Sequence, residues 1–414
     1  MTLKRLPTRL TAAGALALAC AATVLTGTGH ADAPHTLTGS VANPATARGS
    51  VVSATQVADL SARDVAALLQ QAGIEPYAGQ VRHGVRAHRI VYRTVDPQGR
   101  PTTASALVAV PENSARTLRA VSWLHGTEVF RGEVASVNDA SADRATALLF
   151  ASSGFAVSAP DYLGLGTGPG LHPYGDPGAT VTASVDALRA TRAFVRGEGR
   201  ALRPDVAVAG FSQGGPATML VGRALQEGAD PFFRPAALTT VAGPFHLSAF
   251  EAAAAADRLD RSPLYLAYFT TAWNRLYGLY DSPEQAFRAP YADRIETLFD
   301  GNHTGAQIAE ALPATSKELF TEEFLRSVRH PTGELRRRLR ALDTACDWRP
   351  DVPVHLFHAT GDRDVPVAHS AYCGSRLAAA GATYRLTDVG KDADHSTTVL
   401  RALPDVVREF HALG

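Results

Sequence analysis

The sequence predicts an α/β protein whose central sheet is mostly parallel and is covered by helices on both faces. Strand-like runs rich in small and β-branched residues alternate with segments of helical periodicity, which is typical of parallel sheets. The strand-like runs lie at 120–126, 155–160, 205–210, 236–243, 352–359 and 382–389. The helical segments lie near 141–152, near 179–196, from about 216 to about 227, near 367–379 and from about 396. Over 246–345 helical segments without a clear strand interrupt the alternation, which predicts a helical lid or cap inserted into the fold.

The composition is that of a globular protein with balanced charge. The chain has 414 residues, of which 45% are hydrophobic and 19% charged, and its formal net charge is zero. This length suits one large α/β domain with insertions, or two ordinary domains. Balanced charge gives no electrostatic reason to expect nucleic acid or an anionic membrane as partner. Since no dinucleotide fingerprint, phosphate-binding loop or metal-ligand cluster is visible, no cofactor and no metal are predicted.

The N-terminus has the pattern of a signal peptide. Three basic residues precede an apolar run at 10–25, and Ala-Asp-Ala at 31–33 matches a cleavage signature. The sequence therefore predicts a signal peptide over 1–33, a secreted protein and no stable membrane anchor. The alternative is a lipoprotein lipidated at Cys20, but Leu18 stands one position from where that signal requires leucine.

The elements that follow can be taken in chain order. Residues 34–55 are rich in Ala, Thr, Gly, Ser and Pro without periodicity, which predicts a flexible leader. Residues 57–72 have helical spacing, and Gly73 follows as a stop signal. The runs at 87–95 and 102–110 flank the turn sequence Asp-Pro-Gln-Gly, so they are expected to pair as an antiparallel hairpin.

The predicted core has a first part over 56–245 and a second part over 346–414, on either side of the insertion at 246–345. Cys346 and Cys373 lie in the second part and are the cysteines that remain once the signal peptide is removed. Two cysteines in an oxidising compartment most often form a disulfide, although two buried free thiols are the alternative.

A serine with a glycine two residues to either side follows the strand-like run VAVA. Gly210-Phe211-Ser212-Gln213-Gly214 fits the pattern G-x-S-x-G, which is weak alone but stronger between a predicted strand and a predicted helix. A sharp turn there lifts the serine hydroxyl clear of the backbone, and the glycines leave room for it. We predict Ser212 as a nucleophile; an ordinary strand-to-helix turn is the alternative.

A serine nucleophile needs a base and a group that orients the base. Asp362 comes just past a predicted strand, where ligand-facing residues of parallel sheets collect. It is preferred to Asp364 because D-x-x-V-P follows it. His395 lies on the loop between the last predicted strand and the last helix, where the base is expected. The competing downstream histidines fit less well by position, and they are His355, His358, His369 and His411.

The oxyanion of a tetrahedral intermediate requires two preorganised N–H donors. Gln213, the residue after the nucleophile, offers one backbone N–H. Thr127, in the loop after the strand AVSWLHG, is predicted to offer the second. A plain strand-ending turn at His125-Gly126 is the alternative interpretation.

With these residues in place, the chain resembles the α/β-hydrolase superfamily from about residue 85 onward, and within it the secretory lipase family, which includes the lipase A type of yeasts and its actinobacterial relatives. The resembling segments are SWLHGT (122–127), GFAVSAPDYLGLG (154–166), LHPY (171–174), AGFSQGG (209–215), GDRDVP (361–366) and ADHS (393–396). The resemblance implies an α/β-hydrolase fold, a Ser212–Asp362–His395 triad, ester cleavage through an acyl-enzyme and a lid after the sixth strand. Asp161 and Tyr162 match the group's signature and are expected to shape the loop beside the nucleophile.

The leading hypothesis is therefore a secreted lipase or esterase acting on acyl esters or lipids. A peptidase of the prolyl-aminopeptidase kind would need carboxylates clustered in the cap, and Glu251, Asp257 and Asp260 are its candidates. A non-catalytic hydrolase fold used for binding is the third hypothesis. The aromatic-rich run at 262–280 suits a helical core or the lining of an acyl tunnel. Acyl chain length, the alcohol and the oligomeric state are not predicted.

Overall fold

The computed structural model describes residues 47–414. The predicted signal peptide at 1–33 and most of the predicted leader lie outside the described residues. Within residues 47–414 no helix combines the length and the apolar composition that crossing a membrane requires.

One nine-stranded sheet forms the centre of the described part of the chain, in the order β1-β2-β3-β5-β4-β6-β7-β8-β9. The strands are β1 (Val51–Leu60), β2 (Val85–Val95), β3 (Pro101–Pro111), β4 (Thr117–Leu124), β5 (Ala156–Pro160), β6 (Ala201–Phe211), β7 (Arg234–Val241), β8 (Val354–His358) and β9 (Arg385–Asp388). The pairs from β5 to β9 are parallel, whereas β1, β2 and β3 pair antiparallel and β3 pairs antiparallel with β5. The predicted fold class and the predicted hairpin, β2 with β3, are confirmed.

Fourteen helices occur in the same described range. They are α1 (Ala62–Gln71), α2 (Ala142–Ser152), α3 (Pro177–Gly197), α4 (Gly214–Gln226), α5 (Leu247–Ala254), α6 (Ser262–Tyr277), α7 (Pro283–Ala286), α8 (Ile295–Leu298), α9 (Gly305–Ala311), α10 (Ser316–Leu319), α11 (Glu322–Arg329), α12 (Gly333–Asp343), α13 (Ala368–Ala379) and α14 (His395–Ala412).

Both faces of the sheet are buried under helices. In β6, Val206 and Val208 face a core shared with α3, α4 and α13, while Ala207 and Ala209 face a core shared with α1, α2 and α14. This two-sided burial explains why the parallel strands are continuous apolar runs rather than alternating ones.

The first strand was not predicted. The sheet begins at Val51, inside the segment expected to be a leader up to residue 55, and the helix expected from 57 begins at Ala62. The β1 side chains are largely exposed, so the strand has no apolar alternation, and backbone pairing with β2 supports it. The helix start is set by Ser61, whose hydroxyl accepts the N–H of Asp64 in a capping box.

The helical insertion lies between β7 and β8 and comprises α5 to α12. It therefore follows the seventh strand rather than the sixth, because β1 was missed. Its helices enclose a core of their own, in which Phe269, Trp273, Phe287 and Phe320 are at most 1% exposed. The insertion is thus a packed layer beside the sheet.

The predicted disulfide is present. Cys346, just after α12, is bonded to Cys373 in α13, and both are buried against the core of the sheet. The bond therefore joins α13 to the segment that directly follows the insertion.

Candidate active site

A sharp turn between β6 and α4 presents Ser212. Its φ is 53°, a left-handed conformation that residues with side chains rarely adopt. A Cβ on Gly210 would lie 2.2 Å from the carbonyl oxygen of Gly214, and one on Gly214 would lie 1.9 Å from that of Leu124. Only glycine fits at either position, so the turn has the strand–turn–helix form predicted from G-x-S-x-G.

Ser212, His395 and Asp362 come together through the predicted order of elements. The Ser212 hydroxyl lies 2.9 Å from Nε2 of His395, and Nδ1 of His395 donates to Oδ2 of Asp362 at 2.7 Å. The other carboxylate oxygen, Oδ1, accepts the backbone N–H groups of Asp364 and Val365. Because a carboxylate only accepts, the proton sits on Nδ1, and Nε2 is free to accept the serine proton.

All three side chains are shielded from water. Ser212, Asp362 and His395 are 5%, 4% and 6% exposed. Asp362 lies on the loop after β8, while His395 is the first residue of α14, whose N-cap residue Asp394 accepts the N–H of Thr397. The end of a strand and the capped start of a helix thus position Asp362 and His395.

Asp364, the rival acid, pairs with Arg261 of the insertion at 2.8 Å and lies outside the His395 hydrogen-bond chain. The other downstream histidines also have partners of their own. His355 contacts Glu409, and His358 lies between the hydroxyl of Ser370 and a backbone carbonyl. His369 accepts a backbone N–H, and His411 packs on an aromatic ring.

The two predicted oxyanion donors, Gln213 and Thr127, lie beside Ser212. Within residues 47–414, no protein acceptor takes a hydrogen bond from the backbone N–H of Gln213 or of Thr127. Gln213 stands at the N-terminus of α4, where the helix dipole favours negative charge. A Cβ on Gly126 would lie 3.5 Å from the Cβ of Ser212, so the loop that carries Thr127 runs close to the nucleophile.

A cavity of about 590 Å³ opens onto Ser212 and His395. Its lining also includes residues of α2, of the loop after β4, of α14 and of the insertion, among them Thr127, Val399, Arg261, Leu264 and Tyr265. The residues of the site and of the insertion therefore line one common space.

No family model matches this chain, and no curated protein matches it. Three solved structures are similar to it. A proposed hydrolase from Legionella pneumophila is 25% identical with a TM-score of 0.82, covering 88% of this chain and 98% of its own. The rice cell wall degrading esterase LipA from Xanthomonas oryzae is 24% identical (TM-score 0.78; 88% of this chain and 98% of its own), and Candida antarctica lipase A is 16% identical (TM-score 0.61; 84% and 78%).

The chain has the α/β-hydrolase fold. This is the fold that the sequence resemblance implied, and a lipase A, the type it pointed to, is among the matching structures. The two signature residues contact segments beside the Ser212 turn. Asp161 is buried and accepts the hydroxyls of Ser105 and Ser136 at 2.5 Å, and Tyr162, with φ of 63°, lays its ring 4.2 Å from that of His125.

Sequence reasoning missed an acidic wall in the cavity of this α/β-hydrolase. Glu128, Glu133 and Asp143 all line it. Burial, together with the charges of the other two carboxylates, raises the pKa of Glu128 to about 8. Burial also raises the pKa of Asp143, which accepts a hydrogen bond from Trp123 Nε1. The one sequence signal that could have indicated these acidic residues is the position of Glu128, directly after Thr127.

The carboxylates required by the aminopeptidase hypothesis have separate environments. Glu251 is 1% exposed, and burial raises its pKa well above its usual value, which disfavours the negative charge that binding an amino terminus requires. Asp257 caps the backbone N–H of Ser316, and Asp260 pairs with Arg363. Within the described residues no group of histidine, cysteine or acidic side chains could hold a metal ion.

Proposed function

We propose that this protein is a secreted serine hydrolase that cleaves carboxylic esters through an acyl-enzyme. The observation that carries the proposal is the hydrogen-bond chain from Ser212 through His395 to Asp362, buried at the wall of a cavity. Beside it lie the backbone N–H groups of Gln213 and Thr127, which have no acceptor within residues 47–414. These are the parts that acyl transfer requires, each within reach of the next.

In the acylation step, the Ser212 oxygen attacks the ester carbonyl while Nε2 of His395 takes the hydroxyl proton. Asp362 keeps the imidazole in the productive tautomer and stabilises the imidazolium that forms. The carbonyl oxygen becomes an oxyanion, which the backbone N–H groups of Gln213 and Thr127 bind. The intermediate collapses as His395 gives the proton to the leaving alkoxide.

In the second half, His395 takes a proton from water, and the resulting hydroxide attacks the acyl-serine carbonyl. The same two N–H groups bind the second oxyanion. Collapse releases the carboxylic acid and returns the proton to Ser212.

The substrate class follows from the cavity and the structural neighbours. Leu264, Tyr265 and Val399 give the cavity apolar surface beside Ser212, which suits an acyl chain. The neighbours that carry the names esterase and lipase support a hydrolase of the same kind. We infer that α5 to α12 act as a lid that sets the acyl chain length.

Secretion is part of the proposal. The signal-peptide pattern at 1–33 supports it, and so does the Cys346–Cys373 disulfide, because such bonds persist in oxidising compartments. Expression of the full chain with N-terminal sequencing of the exported product tests it, and cleavage after Ala33 is expected.

The test of activity is hydrolysis of p-nitrophenyl esters from acetate to palmitate by the mature protein, with Ser212→Ala as control. Activity that the variant lacks supports the proposal, and its chain-length profile separates lipase from esterase. Labelling by a fluorophosphonate probe at Ser212 separates an enzyme from a non-catalytic binding protein. Turnover of aminoacyl p-nitroanilides without any ester hydrolysis would replace this proposal with the peptidase hypothesis.

A further inference from the structure

We propose that the segment His172-Pro173-Tyr174 is a clamp that positions both residues of the oxyanion hole. The inference rests on the proposed function and adds positioning residues to it. The two oxyanion donors belong to separate loops, one after β4 and one at the β6–α4 turn. A third segment that holds both loops would fix the separation of the two N–H groups.

The first contact of the clamp is with Gln213. Its side-chain Nε2 lies 3.1 Å from Nε2 of His172, while Nδ1 of His172 lies 2.9 Å from the carbonyl oxygen of Leu163. A carbonyl only accepts, so Nδ1 carries the proton and Nε2 is the acceptor for the Gln213 amide. Burial lowers the pKa of His172 to about 3, which keeps the ring neutral and this hydrogen bond intact at neutral pH.

The orientation of the Gln213 amide follows from that tautomer. Its NH2 group must face His172, which leaves Oε1 pointing the other way, buried and without a protein partner within residues 47–414. Gln213 lines a second, smaller cavity of about 40 Å³, away from the one that contains Ser212. The Gln213 side chain is therefore held on the side away from Ser212, while its backbone N–H lies at the turn without an acceptor among residues 47–414.

The second contact is with Thr127. Its hydroxyl lies 2.9 Å from the hydroxyl of Tyr174, two residues beyond His172. Like Gln213, Thr127 has its side chain tied to the clamp and its backbone N–H unpaired. The same short segment thus holds the residue on each side of the oxyanion position.

The clamp is itself held by the insertion. Nε1 of Trp273 donates to the carbonyl oxygen of Tyr174 at 3.0 Å, and the ring of Tyr268 stacks on that of Tyr174 with centroids 4.3 Å apart. Both side chains belong to α6. Tyr174 is partly buried against the core of the insertion, which limits the access of water to both contacts. The helical insertion therefore supports the oxyanion hole through the clamp rather than by contacting the two N–H groups directly.

The geometry predicts that substitutions in the clamp slow the chemical step rather than weaken the binding of the ester. A donor displaced by a fraction of an ångström binds the oxyanion less well, while the ground-state ester is bound by other walls of the cavity. We expect Tyr174→Phe and His172→Asn each to lower kcat for p-nitrophenyl butyrate about 10- to 100-fold, with KM changed by less than about twofold. Binding of a trifluoromethyl ketone, which forms an oxyanion on the serine, should weaken by the same factor.

Matched variants separate positioning from stability. In His172→Gln the side-chain carbonyl oxygen can take the place of Nε2 as acceptor, so this variant should keep more activity than His172→Asn. Tyr92→Phe removes another buried tyrosine hydroxyl, one that donates to the carbonyl oxygen of Ala183, and it should lower the melting temperature without changing kcat. In a Gln213→Leu background, His172→Asn should cause no further loss, because the contact is already gone.

Each result supports or overturns the clamp. Normal kcat and normal ketone binding in Tyr174→Phe and His172→Asn would overturn it while leaving the ester hydrolase in place. The clamp would also be overturned if the variants lowered the melting temperature but not kcat. It would be overturned too if His172→Asn lowered kcat by the same factor in the Gln213→Leu background as in the wild type. A wild-type protein that neither hydrolyses esters nor labels with a fluorophosphonate would overturn the proposed function and the clamp with it.

Discussion

The hydrogen bond between Asp362 and His395 determines which imidazole nitrogen carries the proton, and Asp362→Asn tests it directly. The amide oxygen of the asparagine can replace Oδ1 and accept the N–H groups of Asp364 and Val365, as the carboxylate does. The NH2 group then takes the position of Oδ2, facing Nδ1 of His395 at about the present 2.7 Å.

Two donors cannot share that contact, so His395 must move its proton to Nε2. In that tautomer Nε2 can no longer accept the proton of Ser212. The same substitution in a serine protease with this arrangement lowers kcat about 10⁴-fold. We expect a similar loss here, which corresponds to about 5.4 kcal/mol of transition-state stabilisation.

The assay is kcat/KM for p-nitrophenyl butyrate at neutral pH, with folding checked by circular dichroism and the melting temperature. Asp364→Asn is the matched control, because Asp364 is two residues away and equally buried but pairs with Arg261. It should lose less than about tenfold. A folded Asp362→Asn protein that keeps more than a tenth of wild-type activity would refute the assigned role, and a larger loss in Asp364→Asn would transfer that role to Asp364.

Three further predictions follow from the cavity, the disulfide and the turn. Because burial and neighbouring carboxylates raise the pKa of Glu128 to about 8, its negative charge forms above that pH and opposes the oxyanion. Wild-type kcat/KM for neutral esters should fall above pH 8, and the pH profile of Glu128→Gln should show no fall there. Replacing Cys346 and Cys373 by serine opens a 27-residue loop and should lower the free energy of unfolding in urea by about 3.5 kcal/mol. Under reducing conditions this difference between the variant and the wild type should disappear. Gly214→Ala would place Cβ 1.9 Å from a carbonyl oxygen of β4 and should cost about 3 kcal/mol or more, whereas Gly197→Ala, with open space around it, should fold normally by thermal melting.

Much of the fold could be predicted because its signals are local. The parallel strands are apolar on both faces, so they stood out as continuous runs, and the hairpin was marked by a turn sequence between two such runs. The candidate triad was also accessible, since the strand-to-helix turn at Ser212 needs glycine at two fixed positions and the acid and base follow elements in a fixed order.

The first strand and the acidic wall were not accessible in this way. β1 lies at the sheet edge with exposed side chains, so its sequence lacks the apolar period of a strand, and its helical spacing near residue 57 was misleading. Glu128, Glu133 and Asp143 are ordinary acidic residues in the sequence. The pKa of Glu128 is raised only by its surroundings in the folded protein.

The sequence by itself determined the order of elements, the glycine-lined turn at Ser212 and the segments from which an acid and a base could come, because each depends on backbone sterics or on a short apolar pattern. The tertiary structure placed Asp362 rather than Asp364 against His395, since the two carboxylates differ only in what they contact. It also joined His172 to Gln213 across 41 residues and Tyr174 to Thr127 across 47. Contacts at that separation depend on how the sheet and the insertion pack, and no local pattern in the chain encodes them.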